Sequence, residues 1–465
     1  MDRNLYLDEI PLDEAKSRFF GRLRELGLFK PAPGEVIPVN IDAIGRITSE
    51  PVFAAISSPH YHASAMDGVA VKSESTFDAN ERHHIELKVG KDAIWVDTGD
   101  PLPEGCDAVI MVEDLLHIDD DKVTIAAPAR PWENVRVVGE DIVATELILP
   151  ENHILRPQDI GAMLAGGVTR VAVRKRPRVA IIPTGDELVG LKEGLGPGGP
   201  PPGEIIEFNS QIIGGLVKEW GGESIICDIV PDDRGKIASA VKEAAGTADI
   251  VVVNAGSSAG SQDYSSVVIR QLGEVLVHGV AIRPGKPVIL GIAQGKPALG
   301  IPGYPVSCAL ACELFLKPLI FGMLGRREFS LPTIKARMAQ KLRSPGGVLE
   351  FVRVKVGVVG DRVVAVPIAR GAGLVSSLVR ADGVVRVPSA RQGIEEGEEV
   401  TVELIRPEEE IRDTIVHVGS HDIALDLLAT YLGRLFPGTS FLSAHAGSIG
   451  GLLCLRRREA HVAGV

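Results

Sequence analysis

Three loops in the middle of the chain combine carboxylates, hydroxyls and glycines in a way that suits a phosphate and a hard metal ion. They are Thr184-Gly185-Asp186-Glu187, then Asp232-Asp233, then Gly256-Ser257-Ser258 with Gly260 and Asp263. Glycine lets backbone N–H groups approach a phosphate closely, and serine adds donors. The carboxylates of Asp186, Glu187, Asp232 and Asp263 could hold Mg²⁺, which prefers oxygen ligands and often bridges to a substrate phosphate. Taken singly, each loop reads better as a helix cap or a flexible turn. Their coincidence is what points to a site. Arg283-Pro284-Gly285-Lys286-Pro287 adds two cations in a rigid turn, and arginine suits bidentate contact with an oxyanion. Alone, that segment reads as a solvated turn. Ile301-Pro302-Gly303-Tyr304-Pro305 follows it. Ser64-Ala65-Met66-Asp67-Gly68 and Gly139-Glu140-Asp141 read as tight turns. In the tail, Ser420-His421-Asp422 and Gly447-Ser448 precede helices and read as caps or anion sites.

The elements that must position these residues follow from the apolar pattern. Leu12, Ala15, Phe19, Leu23 and Leu26 make one stripe of a helix over 8–27. Short alternating runs from about 35 to 140 predict a small β region. A short helix ending on glycine is expected near 155–167. From 177, apolar strands alternate with helices, which predicts a parallel α/β sheet with its ligand loops at the carboxyl ends of the strands. Residues 331–406 return to β. The tail shows strand, helix, strand, helix and the opening of a third strand. We expect a truncated chain there, or a partner that completes the sheet.

The 465 residues carry 49 Lys+Arg against 61 Asp+Glu, a net charge of −12. So acidic a chain is a poor general binder of nucleic acid or anionic membrane. The 52 glycines and 31 prolines direct attention to loops as the place for a site. Five cysteines without a CxxC pair argue against a disulfide framework or zinc ribbon. Cys308 and Cys312 read as core. The apolar stretch 306–324 is interrupted by Glu313, Lys317 and Pro318, so we expect a buried helix and no membrane span. The polar N-terminus lacks a signal-peptide core, and the expected location is cytoplasmic.

In order along residues 8–406, these motifs resemble those of the molybdopterin molybdenumtransferase family, of the MoeA and gephyrin E-domain type. The matching segments are Ser64–Ala70 (SAMDGVA), Thr98–Val109 (TGDPLPEGCDAV), Gly139–Asp141 (GED), Arg176–Leu188 (RPRVAIIPTGDEL), Pro284–Pro287 (PGKP) and Pro302–Ser307 (PGYPVS). The chain departs from the family pattern at Val69, at Gly279, at Tyr304, at Ala372 and within NAGSSAGSQD. The tail resembles the start of a periplasmic-binding-protein-like domain fused to some members.

The resemblance implies a multidomain α/β plus β fold. An N-terminal linker-type region, 1–50 with 140–176, would carry an inserted β domain, 51–139. A three-layer α/β/α molybdopterin-binding domain with a parallel sheet would span 177–330. A β-barrel-like domain, 331–407, and an incomplete α/β tail, 408–465, would follow. It further implies a homodimer that inserts molybdate, or tungstate, into adenylylated molybdopterin in a Mg²⁺-dependent step that releases AMP. The cleft would lie between the α/β domain of one subunit and the N-terminal region of the other. Transient contact with other cofactor-biosynthesis or acceptor proteins would accompany the reaction. The acidic residues carried over are Asp67, Asp141, Glu187, Asp232 and Asp263, with Glu187, Asp232 and Asp263 on the metal. Arg283 and Arg353 fall on basic oxyanion positions, with Lys286 beside them. Thr184, Gly185, Asp186, Gly256, Ser257, Ser258, Gly260, Pro302 and Pro305 would line the cofactor cleft. The alternative is an oxyanion- or pterin-binding sensor or delivery module without full transferase activity.

Overall fold

The computed structural model describes residues 9–191, 198–255, 264–420 and 422–465. The chain forms two compact units, residues 32–175 and residues 1–31 with 176–465.

The first unit is built from short strands, as alternating patterns broken by Pro and Gly require. Gly34–Pro38 pairs antiparallel with Arg170–Arg174. Gly68–Val71 lies between Ala93–Val96 and Ala108–Met111, and Lys122–Ile125 lies between Ile85–Lys88 and Leu115–Ile118. Val69, Val71, Leu87, Val123 and Ile125 share its core. The tight turn expected at Asp67-Gly68 is not the reason for that glycine. Gly68 opens a strand so close to its neighbour that a Cβ would lie 2.0 Å from the Ile110 carbonyl oxygen. The helix Pro157–Ala165 starts on a proline and buries Ile160 and Met163. Its first turn is fixed by Asp159, 4% exposed. That carboxylate accepts from the Arg156 backbone N–H at 2.8 Å and from His153 Nε2 at 2.7 Å.

In the second unit, the N-terminal helix Leu12–Glu25 buries Leu12, Ala15, Phe19 and Leu23 as its stripe demands. The α/β region runs β1 (Arg178–Pro183), α1 (Asn209–Glu219), β2 (Glu223–Ile226), α2 (Arg234–Thr247), β3 (Ile250–Ala255), α3 (Ser265–Leu272), β4 (Gly273–His278), β5 (Ile282–Arg283), β6 (Ile289–Ala293) and β7 (Lys296–Pro302). Six strands form one sheet in the order β2-β1-β3-β7-β6-β4. Val179 to Ile182 and Ile250 to Val253 are fully buried, the unbroken apolar runs of strands covered on both faces.

The sheet is not all parallel. β2, β1, β3 and β7 are parallel, but β6 pairs antiparallel with β7 and with β4. The reason is a two-residue hairpin. Gln294 at φ +51 and Gly295 at φ +71 join Ala293 to Lys296 in the left-handed geometry such turns use. α4 (Pro305–Ala311) continues through a wider turn, Cys312–Leu316, into α5 (Lys317–Met323). Cys308, Cys312, Phe315 and Ile320 there are fully buried, so this long apolar helix is a core element.

β8 (Thr333–Met338), β9 (Leu349–Val359), β10 (Arg362–Pro367), β11 (Gly383–Val387) and β12 (Glu399–Leu404) close into a five-stranded barrel, because β11 pairs with both β12 and β9. Val352, Val354, Val356, Val385 and Val402 fill its interior. β5 extends the sheet alongside β9. A helix, α6 (Val375–Arg380), follows the loop after β10. In the tail, β13 (Thr414–Gly419), α7 (Ile423–Leu435), β14 (Ser440–His445), α8 (Gly447–Arg456) and β15 (Val462–Gly464) form a parallel sheet ordered β14-β13-β15. Val416 and Val418 pack with Val364 and Val366 of the barrel.

Asp159 sets a pH dependence for the first unit. Burial pushes its carboxyl up, but hydrogen bonds from Arg156 and His153 outweigh this and hold it at about 2, below the usual 3.8. A depressed carboxyl stabilises the fold above its unfolded value and loses that stabilisation as pH falls towards the folded one. The Asp159→Asn variant is therefore expected to be less stable than the parent by about 1 kcal/mol at neutral pH, allowing for solvent screening. That gap should close between about pH 4 and 2 in thermal unfolding followed over pH.

Candidate functional site

The site forms where β1, β3 and β7 end together. Their registers place Pro183 beside Asn254, Asn254 beside Ile301 and Ala255 beside Pro302. In an open sheet this carboxyl edge is where ligands bind. Asn254, 3% exposed, secures it. Its Nδ2 lies 3.2 Å from the carbonyl oxygens of both Ile301 and Pro302. Its own carbonyl accepts the Thr184 N–H at 2.9 Å.

A cavity of about 490 Å³ opens at this edge. Thr184 and Glu187 line it from the loop after β1, Asn254 and Ala255 from the end of β3, and Gly303, Tyr304 and Pro305 from the loop after β7. Glu207, Phe208 and Asn209 line it from the start of α1, and Gly373 from the loop before α6. Leu188–Val189 pairs in parallel with Ile205–Ile206, and Glu187 and Glu207, at opposite ends of that pairing, both line the cavity. Gly185, at φ +153, has the Glu187 carboxylate folded over it, and a Cβ there would lie 2.7 Å from Glu187 Oε2. Only glycine fits. Pro302 ends β7, and Pro305 occupies the first turn of α4.

The second loop joins the first, since Asp186 Oδ1 accepts the Asp232 N–H at 3.1 Å. Asp233 caps α2 through the Lys236 N–H at 2.8 Å, which absorbs it structurally. Asp186, Glu187 and Asp232 offer oxygen donors of the type Mg²⁺ takes. No group of three side chains suited to a metal forms among the described residues. Gly256, Ser257, Ser258, Gly260 and Asp263, expected here, lie outside the described residues.

The basic residues differ in setting. Lys286 is ion-paired with Glu9, and Arg283 lies 3.6 Å from Glu350. Lys286 and Glu9 are both exposed, so that pair contributes little, within about 1 kcal/mol. Glu350 is buried and is shared with Arg370 at 3.3 Å. Arg353 on β9 is 8% exposed. Its Nε donates to Ser377 Oγ at 2.9 Å, and Ser377 donates on to the Leu374 carbonyl. Arg353 has no carboxylate within ion-pair distance among the described residues, and burial lowers its affinity for the proton. A buried cation in that state favours any anion that can reach it.

Asp67 and Asp141 belong to the residue 32–175 unit. Both are exposed. Asp67 Oδ1 accepts the Thr98 N–H at 2.7 Å and its hydroxyl at 2.8 Å, and these bonds hold the carboxyl below its usual range. The Asp141 N–H donates to the Ser58 carbonyl at 3.1 Å. The sequence reading passed over Asn254, Glu207, Phe208, Asn209, Glu350 and Arg370. Only Asn209 carried a local signal, a capping-type residue at the start of a helix. It acts otherwise, donating from Nδ2 to the Gly303 carbonyl.

The chain matches three family models in order. They are the MoeA N-terminal region (domain I and II) over residues 10–167, a "Probable molybdopterin binding domain" over 180–322 and the MoeA C-terminal region (domain IV) over 335–405. It is 35% identical over 411 residues to a protein of Methanocaldococcus jannaschii named "Putative molybdopterin biosynthesis protein", covering 85% of this chain and 98% of the relative. It is 28% identical over 410 residues to the molybdopterin molybdenumtransferase of Haemophilus influenzae, with the same two coverages, 85% and 98%. A crystal structure of molybdopterin biosynthesis MoeA protein from Pyrococcus horikoshii matches with a TM-score of 0.70 at 34% identity, over 86% of this chain and 100% of that one.

The geometry at the sheet edge makes Asn254 a stabilising residue first. Asn254→Ala removes two hydrogen bonds from a buried edge and is expected to cost roughly 2 kcal/mol in urea unfolding. A change within about 0.5 kcal/mol, the scatter of neutral surface substitutions, would show that the edge holds together without it.

Proposed function

The chain belongs to the MoeA family of molybdopterin molybdenumtransferases, transferases of molybdenum cofactor biosynthesis, and on that premise we propose that it inserts molybdate or tungstate into adenylylated molybdopterin with release of AMP. The observation that carries this reading is the cavity of about 490 Å³ built from the TGDE and PGYP loops at one edge of the α/β sheet. Its chemistry suits the substrate in parts. Glu187 and Asp232, with Asp263, would hold Mg²⁺. When bound, that ion would screen the pyrophosphate and polarise it for cleavage. Thr184 and the glycine-rich loop of Gly256, Ser257, Ser258 and Gly260 would supply donors to phosphate oxygens. Asp186 would orient the Asp232 loop through its bond to the Asp232 N–H. Pro302 and Pro305 would frame the cleft.

The oxyanion needs positive charge in an acidic protein. Arg283, Lys286 and Arg353 are the cations we assign to it. Arg353 is the strongest of the three, because it is buried without a carboxylate partner among the described residues. The family pattern adds Asp67 and Asp141 to the reaction. A cytoplasmic homodimer that hands its product to acceptor proteins completes the reading.

Purified protein given adenylylated molybdopterin, molybdate and Mg²⁺ should release AMP. Background release only would overturn the reading. Glu187→Gln should lower kcat by roughly tenfold or more and raise the Mg²⁺ needed for half-maximal rate. Arg353→Met removes a buried charge that has no carboxylate partner among the described residues, so thermal stability should stay level or rise. The molybdate concentration for half-maximal AMP release should meanwhile rise by roughly tenfold or more, the scale of a lost charge-assisted hydrogen bond. A purely structural Arg353 would show the opposite pair of results.

A further inference from the structure

Arg130-Pro131-Trp132-Glu133-Asn134-Val135-Arg136, in the residue 32–175 unit, holds a large side chain in a conformation that such residues resist. Trp132 stands at φ +66 and Asn134 at φ +53. A bulky residue with a left-handed backbone is an outlier, and glycine would serve there without strain. The backbone is fixed by its own bonds. The Trp132 N–H donates to the Asp107 carbonyl at 2.6 Å, and Asn134 Nδ2 donates to the Val109 carbonyl at 2.9 Å. The indole is 49% exposed, so core packing alone does not account for it. Strain of this kind collects where a ligand is bound.

The indole is also held in place. Its ring centroid lies 4.9 Å from that of His62, and His62 Nδ1 in turn accepts the Val138 N–H at 3.2 Å. The pair adjoins the turn that carries Asp67. Ala63–Ser64 pairs antiparallel with Val135–Arg136, and the Ala65 N–H donates to the Asn134 carbonyl at 2.8 Å. Two cations flank the tryptophan along the chain. Arg130 is exposed and has no carboxylate within ion-pair distance among the described residues. Arg136 lies 3.6 Å from Glu140, and both of those side chains are half exposed. A presented aromatic face between two arginines matches a flat, uncharged base carried on an anion.

We propose that Trp132, steadied by His62, is a stacking platform for the adenine ring of AMP. The choice of adenine rests on the reading that the reaction releases AMP. The platform takes the ring alone and leaves the phosphate roles at the sheet edge as they stand. Arg130 and Arg136 add a field that favours an anionic nucleotide. The left-handed backbone at Trp132 then has a use: the indole is ordered before the ligand arrives, so less freedom is lost on binding.

The test is calorimetric titration of the full chain with AMP, for the wild type, Trp132→Phe and Trp132→Gly. Trp132→Phe keeps a π face and should bind within about threefold of wild type. Trp132→Gly should bind roughly tenfold or more weakly, the scale of one lost base stack. Its thermal unfolding should shift little, because relief of the left-handed φ offsets the lost packing of a half-exposed ring. AMP should quench tryptophan fluorescence in wild type but not in Trp132→Phe, where Trp95 and Trp220 remain. Ribose 5-phosphate, which lacks the base, should bind roughly tenfold or more weakly than AMP. Equal AMP affinity of wild type and Trp132→Gly, the same quench in wild type and Trp132→Phe, or ribose 5-phosphate matching AMP overturns the platform. So does a wild type that binds no AMP. The AMP-release assay decides the transferase reading separately: release without ring-dependent binding overturns the platform alone, and ring-dependent binding without release overturns the transferase reading alone.

Discussion

Everything at the site depends on one buried amide. Asn254 stands at the end of β3, the central parallel strand of the edge, and its Nδ2 reaches two successive carbonyls of β7. Those carbonyls belong to the residues where β7 gives way to the PGYP loop, and a buried carbonyl without a donor is costly. On its other side, the backbone of Asn254 receives Thr184, the first residue of the TGDE loop. A single residue, through its side chain on one side and its backbone carbonyl on the other, therefore ties together the roots of two loops that line the cavity. An apolar residue here would leave carbonyls unsatisfied, and a charged one would be buried without a partner. The loops can vary in sequence around that frame because their roots are held.

Charge is distributed to match. The chain is acidic overall, and its cavity wall is acidic too. Most cations near the site are already ion-paired: Lys286 with Glu9, Arg283 and Arg370 with Glu350. Arg353 differs, because only a serine hydroxyl meets its Nε and the barrel buries it. Among the described residues, the carboxylates Glu187 and Glu207 line the cavity and no lysine or arginine does.

The apolar pattern made the parallel strands legible, since runs such as Val179 to Ile182 have no other place than a doubly covered sheet. The antiparallel edge was not legible in the same way. β6 and β7 are short apolar runs joined by Gln294-Gly295, a weaker turn signal than Asn-Gly, and nothing in them marks direction. The ordered motifs gave the TGDE, PGKP and PGYP positions. Asn254 and Phe208 were invisible because an asparagine at a strand end and a phenylalanine before a helix are ordinary residues. Only the register of three strands reveals what they face. Gly68 was misread for a related reason: a glycine between a loop and a strand looks like a turn until the neighbouring Ile110 carbonyl is seen pressing on it.

The loop before α6 touches Tyr304 on one side and Arg353 on the other, by packing and by hydrogen bonds. Gly373 lies against the Tyr304 ring, and the next residue, Leu374, accepts from Ser377, which receives Arg353 Nε. One short segment of the barrel domain therefore backs an aromatic wall of the cavity and also anchors the buried cation. A Cβ at residue 373 would reach van der Waals contact with the tyrosine ring, and the loop is held at Ala372 by the Val306 N–H. A displacement of this segment would move the ring and the guanidinium together. Through this loop the barrel segment touches the Tyr304 ring at Gly373 and, by way of Leu374 and Ser377, the Arg353 guanidinium.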